Sequence, residues 1–193
     1  MEAFFVSTGI VTLAEIGDKT QLLALLLAAR FRRPWPIIWG ILVATLVNHA
    51  LAGGVGHIVA ELLSDTWLYS LLALSFIAVA AWTLVPDKLD DDDMPPISRY
   101  GAFLATLVAF FLAEMGDKTQ IATVVLAAQF ETYLWVVMGT TFGMMLANVP
   151  VVFLGNAAAG KLPLKLIHGI TALIFLALGL YAGWMAWQTL GVS

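Results

Sequence analysis

Leu13-Ala14-Glu15-Ile16-Gly17-Asp18-Lys19-Thr20-Gln21 decides how this chain is read, because it returns 99 residues later as Leu112-Ala113-Glu114-Met115-Gly116-Asp117-Lys118-Thr119-Gln120. Only the fourth position differs, isoleucine in one copy and methionine in the other. Each copy sets two carboxylates and a lysine inside a long apolar run. Charge at that depth costs at least a few kcal/mol per residue, and ionisable residues kept there mark a substrate or ion path. The same costly cluster present twice points to one shared site and to an intramembrane route for cations.

The composition fits that setting. Of 193 residues, 61% are hydrophobic and 11% charged, where a soluble domain carries about 25% charged residues. The apolar runs exceed the ~18 to 20 residues that cross a bilayer core. No glycine-rich phosphate loop is present, so transport would be driven by ion gradients and not by ATP. The net charge of −4 is local, since eight of the thirteen acids lie in the two motifs and in Asp90 to Asp93; it gives no reason to expect a nucleic-acid partner. There is no cysteine, hence no thiolate metal site, and three histidines (His49, His57, His168) weigh against a dedicated zinc or copper centre. Without a basic region before the first apolar segment, that segment is expected to stay as a helix and not to be cleaved as a signal peptide.

Six helices are expected: about Phe4 to Ala29, Pro36 to Ala60, Trp67 to Val85, Arg99 to Ala128, Tyr133 to Ala158 and Leu166 to Leu190. Pro150, close after Asn148, should free backbone carbonyls inside the fifth. The repeat offset extends beyond the motif, pairing Phe31 with Phe130, Gly40 with Gly139, Gly56 with Gly155 and His49 with Asn148. The fold class is therefore an all-α integral membrane protein, six transmembrane helices in two three-helix repeats. Residues 1–86 form the first repeat, 87–98 an acidic cytoplasmic linker and 99–193 the second repeat.

Outside the motifs, lysine and arginine fall in alternate loops: Arg30, Arg32 and Arg33; Lys88 and Arg99; Lys161 and Lys165. The positive-inside rule makes these loops cytoplasmic and places both termini outside the cytoplasm. Three helices per half then insert the halves in opposite senses, the inverted-repeat plan of secondary transporters, with the site at the midplane. Trp35, Trp39, Trp67, Tyr133, Trp135, Tyr181 and Trp187 fall near expected helix ends, where interfacial aromatics belong.

On the first and fourth expected helices, Glu15, Asp18 and Lys19 share one face at i, i+3 and i+4, as do Glu114, Asp117 and Lys118. Across the two halves these faces supply four carboxylates as metal ligands. Lys19 and Lys118 would set the charge balance. Gly17 and Gly116 would let the two helices approach closely. Thr20, Gln21, Thr119 and Gln120 add neutral oxygens, and such a donor set suits hard divalent ions such as calcium, magnesium or manganese. Crowded, desolvated carboxylates also bind protons readily, so metal and proton would compete for the same oxygens, the simplest basis for exchange. The bland alternative, Glu15–Lys19 and Glu114–Lys118 as neutralised pairs within their own helices, leaves Asp18 and Asp117 without partners.

Weaker signals surround the motif. Asn48, His49 and Asn148 would either complete a coordination shell or bond between helices. Ser7 and Thr106 would line an access path or, on the more ordinary reading, bond to their own helix backbone. Asp90 to Asp93 reads chiefly as a solvated linker. His57 and His168 receive no role.

The strings Glu15-Ile16-Gly17-Asp18-Lys19-Thr20 and Glu114-Met115-Gly116-Asp117-Lys118-Thr119 resemble a known family. These are the small cation exchangers that include the Golgi protein transmembrane protein 165 and bacterial manganese exporters, with two E-φ-G-D-[KR]-[ST] motifs, one per three-helix repeat. The resemblance covers essentially the whole chain and implies manganese or calcium transport, often proton-coupled, with Glu15, Asp18, Glu114 and Asp117 as cation ligands. It also implies a bacterial member, hence an inner-membrane protein. The expectation is thus a transporter and not an enzyme, taking Mn2+ or Ca2+ as cargo without a cofactor. A calcium/proton antiporter, an exporter of small organic cations or amino acids, and an intramembrane hydrolase remain as rivals. Against the last, the sequence holds no HExxH string.

Overall fold

The computed structural model of the protein describes residues 1–85, 101–130, 132–154 and 164–190. The linker expected at 87–98, with Asp90 to Asp93, lies outside the described residues, as do Lys88, Arg99, Gly155 and Lys161. The described residues form eight helices and no strand: α1 (Glu2–Glu15), α2 (Lys19–Phe31), α3 (Pro34–Leu62), α4 (Asp65–Thr83), α5 (Ala102–Glu114), α6 (Lys118–Phe130), α7 (Tyr133–Leu154) and α8 (Leu164–Leu190). The helices α3, α4, α7 and α8 are long and apolar enough to cross a membrane. Pro34 sits in the first turn of α3, where its missing N–H costs nothing. Pro150 lies inside α7 and cannot donate to the carbonyl one turn back.

The first and fourth expected helices are each broken in two. Both breaks fall inside the repeated motif, so Glu15, Asp18 and Lys19 do not share a helical face, nor do Glu114, Asp117 and Lys118. The cause is glycine in the left-handed region, Gly17 at φ +84° and Gly116 at φ +76°, a conformation that ends an α-helix.

Packing reciprocates between the halves. The helix α1 packs on α7, α3 packs on α5, α6 and α7, and α4 packs on α8. A Cβ at Gly40 would fall 2.7 Å from Thr106 Cβ and 2.9 Å from the Phe103 carbonyl. At Gly139 it would fall 2.5 Å from the Phe4 carbonyl and 3.1 Å from Ser7 Cβ. Every residue in the first contact is 99 positions from its counterpart in the second. Phe76 and Phe175, also 99 apart, meet across α4 and α8 with ring centroids at 6.1 Å. Thr106 bonds to its own helix at Ala102 O, 2.7 Å, which is the ordinary reading, whereas the hydroxyl of Ser7, buried in the α1–α7 contact, has no hydrogen-bond partner.

Two cores result. One gathers Ile10 and Ala14 of α1, Phe76 of α4, Leu126 of α6 and Phe175 of α8. The other gathers Leu23 of α2, Ile41 of α3, Phe110 of α5 and Val151 of α7. Each break thus passes the chain from one core to the other. The outside of the bundle is rich in exposed Leu, Phe and Trp (Trp35 65%, Trp187 76%), a surface suited to lipid and not to water.

Candidate cation site

Each motif folds as a tight turn between two half-helices. Ile16 (φ −66°, ψ 116°) and Met115 (φ −64°, ψ 118°) are extended, and the glycines that follow have positive φ. Asp18 N donates to Glu15 O at 3.0 Å, and Asp117 N to Glu114 O at 3.2 Å. That is a type II turn, whose third residue must tolerate positive φ, so E-x-G-D is a turn signature as much as a ligand string. The glycines serve the turn: a Cβ at Gly116 would meet no atom within 4 Å, which overturns the expectation of close helix approach there.

After the turn, Asp18 occupies the N-cap position of α2 without a side-chain hydrogen bond to the helix backbone, and Asp117 stands in the same place before α6. Gln21 and Gln120, three residues on, reach back past that position to the glycine before it. Gln21 Oε1 accepts from Gly17 N at 2.9 Å, and Gln120 Oε1 from Gly116 N at 2.7 Å. The Gln21 amide also donates to Ala147 O of α7 at 2.9 Å, tying the first break to the second half. Both glutamine oxygens, expected as supporting ligands, are used on the backbone of the breaks.

Thr20 and Thr119 hold the carboxylates. Thr20 Oγ1 donates to Glu15 Oε2 at 2.6 Å and lies 3.4 Å from Asp18 Oδ2. Thr119 Oγ1 donates to Glu114 Oε2 at 3.0 Å and lies 3.5 Å from Asp117 Oδ2. The other oxygen of each glutamate, Oε1, is buried and accepts no hydrogen bond. Glu15, Glu114 and Asp117 bring one carboxylate oxygen each within 4.8 Å of the others, all three fully or almost fully buried. Three acidic side chains this close in low dielectric repel one another when ionised; a divalent cation among the three oxygens would offset that repulsion.

The lysines pair across the motifs, not within them. Lys118 Nζ lies 2.5 Å from Asp18 Oδ1 with both side chains buried, and Lys19 Nζ lies 3.7 Å from Asp117 Oδ1 with the lysine 20% exposed. Each lysine therefore belongs to the other copy's aspartate, where the expectation had only a general balance of charge.

The remaining expected residues divide. Asn48 Nδ2 donates to Phe111 O at 3.0 Å, bonding α3 to the turn that leads into Glu114. Asn148 Nδ2 bonds within α7, to Met144 O at 3.1 Å. His49 is buried with neither ring nitrogen hydrogen-bonded and is not part of the carboxylate group. The sequence reading missed His168 and Thr171 of α8, whose side chains reach the first break: His168 Nε2 meets Ile16 O at 3.0 Å and Thr171 Oγ1 meets Leu13 O at 3.3 Å. Nothing in their spacing announces this; it depends on how α8 docks.

Helices broken at a buried acidic cluster, inside a bundle with a lipid-suited surface, define a membrane-embedded cation-handling protein. Comparison with known proteins gives the family. The family described as divalent cation/proton antiporter GDT1 matches the chain twice, over residues 3–91 and 102–190; the chain belongs to this family. A protein of Vibrio cholerae named "Putative manganese exporter" is 54% identical over 181 residues, covering 93% of this chain and 90% of its own. The GDT1-like protein 4 of Oryza sativa subsp. indica is 31% identical, over 93% of this chain and 72% of its own. A GDT1-like protein of Synechocystis is 27% identical, over 95% of this chain and 98% of its own. No solved structure matches the chain.

Proposed function

We propose that the protein exports divalent cations, manganese first and calcium second, in exchange for protons. The observation that carries this reading is the convergence of Glu15, Glu114 and Asp117, from two half-helix pairs, within 4.8 Å of one another in a buried pocket of charge. Glu15, Asp18, Glu114 and Asp117 act as cation ligands and proton carriers, Thr20 and Thr119 orient the glutamates, and Lys19 and Lys118 balance the aspartates. The relative named as a manganese exporter supports manganese as the cargo.

In this reading α1–α2 and α5–α6 each make one broken span, giving six crossings with α3, α4, α7 and α8. The two halves, 1–86 and 99–193, are inverted about the midplane, with 87–98 as a cytoplasmic linker. A half-helix of 13 residues reaches only ~20 Å, so neither half alone crosses the bilayer core. A backbone break at membrane depth is tolerated where it is buried or lines a cavity, and discontinuous helices are the recurrent site-forming device of secondary transporters. The basic loop at Arg30, Arg32 and Arg33 and its counterparts at Lys88 to Arg99 and Lys161 to Lys165 set both termini outside the cytoplasm, in a bacterial inner membrane.

The test is exchange in proteoliposomes across a panel of divalent ions, with and without a pH gradient and with amino acids as competitors. Glu15→Gln and Glu114→Gln should each abolish manganese flux while the protein elutes as folded material in detergent. Undiminished flux in both variants would remove the site, and flux of amino acids without metal flux would move the cargo to organic cations.

A further inference from the structure

The two motifs match in sequence and in turn geometry, yet they are not used alike. Asp18 is clasped by Lys118 at 2.5 Å, both side chains within 1% of complete burial. The reciprocal contact, Lys19 to Asp117, is 3.7 Å, the outer edge of an ion pair, with Lys19 20% exposed. Asp117, and not its counterpart, joins the two glutamates within 4.8 Å. The surroundings differ in the same sense. At the first break α8 supplies His168 to Ile16 O and Thr171 to Leu13 O, whereas at the second Met115 is 56% exposed and a Cβ on Gly116 would meet nothing within 4 Å.

The two motifs carry the same acids, lysines and threonines, so exchanging their arrangements restores the same carboxylate and ammonium contacts at the turns, while α4 presents Tyr69 and Leu72 where α8 presents His168 and Thr171. An ammonium group and a divalent ion also compete for the same carboxylate oxygens. Resting on the cation-site reading above, we infer that Asp18 and Asp117 alternate as the third carboxylate of the ion, each withheld in turn by the other motif's lysine. In the arrangement described, Lys118 withholds Asp18 and the ion is held by Glu15, Glu114 and Asp117. When α8 leaves the first break and α4 reaches the second, Lys118 releases Asp18 and Lys19 closes on Asp117. One clasp forms as the other opens, so no buried charge is left unpaired, a condition that is costly to violate. Lys19 and Lys118 are positioning residues, acting on the ion through the aspartates.

Purified protein in nanodiscs reports Mn2+ binding, and the same variants in proteoliposomes report exchange. Asp18→Asn and Asp117→Asn should each keep binding within about tenfold of the unaltered protein, because each leaves one three-carboxylate arrangement, while exchange falls by about a hundredfold or more because the mirrored arrangement no longer holds the ion. The double variant should lose both. If either single asparagine abolishes binding as completely as Glu15→Gln does, all four carboxylates act at once and the alternation is overturned; exchange at full rate in both singles overturns it too. Full binding and flux in Glu15→Gln would instead remove the cation site itself. A second readout leaves the acids untouched. The chain has no cysteine, so Ile16→Cys with His168→Cys reports the arrangement described, and Met115→Cys with Tyr69→Cys, each 99 positions from its counterpart, reports the mirrored one. Both pairs should cross-link, in proportions that shift with Mn2+. A first pair that cross-links and a second that never does, with or without metal, overturns the inference.

Discussion

Replacing Gly116 by alanine and by asparagine separates two reasons for a glycine in the motif. The residue sits at φ +76°, where a side chain costs about 1–2 kcal/mol, and asparagine bears the left-handed region better than alanine. An added Cβ meets no atom within 4 Å, so no steric term joins the conformational one. Alanine also favours helix by about 1 kcal/mol over glycine, which biases the turn toward a continuous helix in which Asp117 no longer stands at the start of α6. A total of about 2 kcal/mol shifts the balance between broken and continuous forms by about thirtyfold. For a chain of this size it also lowers the unfolding temperature by about 4–8 °C. Thermal unfolding in detergent and manganese exchange in proteoliposomes both read the effect, and the expected order is glycine, then asparagine, then alanine. If asparagine, the bulkier residue, is worse than alanine in both assays, the glycine is there for close packing and the turn argument fails.

Thr20→Val and Thr119→Val each remove the hydroxyl that holds a glutamate oxygen, at 2.6 and 3.0 Å; loss of such an orienting group should weaken Mn2+ affinity about tenfold or more. Unchanged affinity in both variants would show that the glutamates need no such support. Gly139→Ala brings a Cβ within 2.5 Å of the Phe4 carbonyl, backbone that cannot swing aside, and should cost about 1–3 kcal/mol of stability. An unfolding temperature equal to that of the unaltered protein would show that α1 and α7 have room to part.

Much of the helical frame was legible because hydropathy and end signals carry it. The second helix was expected from Pro36 to Ala60 and runs Pro34–Leu62; the third was expected from Trp67 to Val85 and runs Asp65–Thr83. The union of the two motifs was legible too, since burying an acidic cluster alone is too costly to be incidental. The breaks escaped that reading for a physical reason. Hydropathy averages over a window, and Ile16-Gly17 or Met115-Gly116 is as apolar as helix interior, so the run looks continuous. The turn is written in the backbone preferences of Glu-x-Gly-Asp and in the Asp-x-x-Gln that starts the next half-helix, both visible in the string but read there as ligands. His168 was not legible at all, because a histidine near a helix end looks the same whether it meets lipid headgroups or the Ile16 carbonyl.

The lysines follow from the breaks. In an unbroken helix Lys19 would neutralise Glu15 one turn below it, and each motif would be complete in itself. The turn cancels that spacing and sets each lysine at the first position of a new half-helix, from which it meets the other motif's aspartate. One copy alone would then bury an aspartate and a lysine with no partner for either, which low dielectric penalises heavily. The duplication is therefore a requirement of charge and not a spare. With all six side chains ionised, the four carboxylates and two ammonium groups leave two net negative charges, the complement of a single divalent cation. A site built from one motif, or from two motifs without their lysines, would be matched to a different charge.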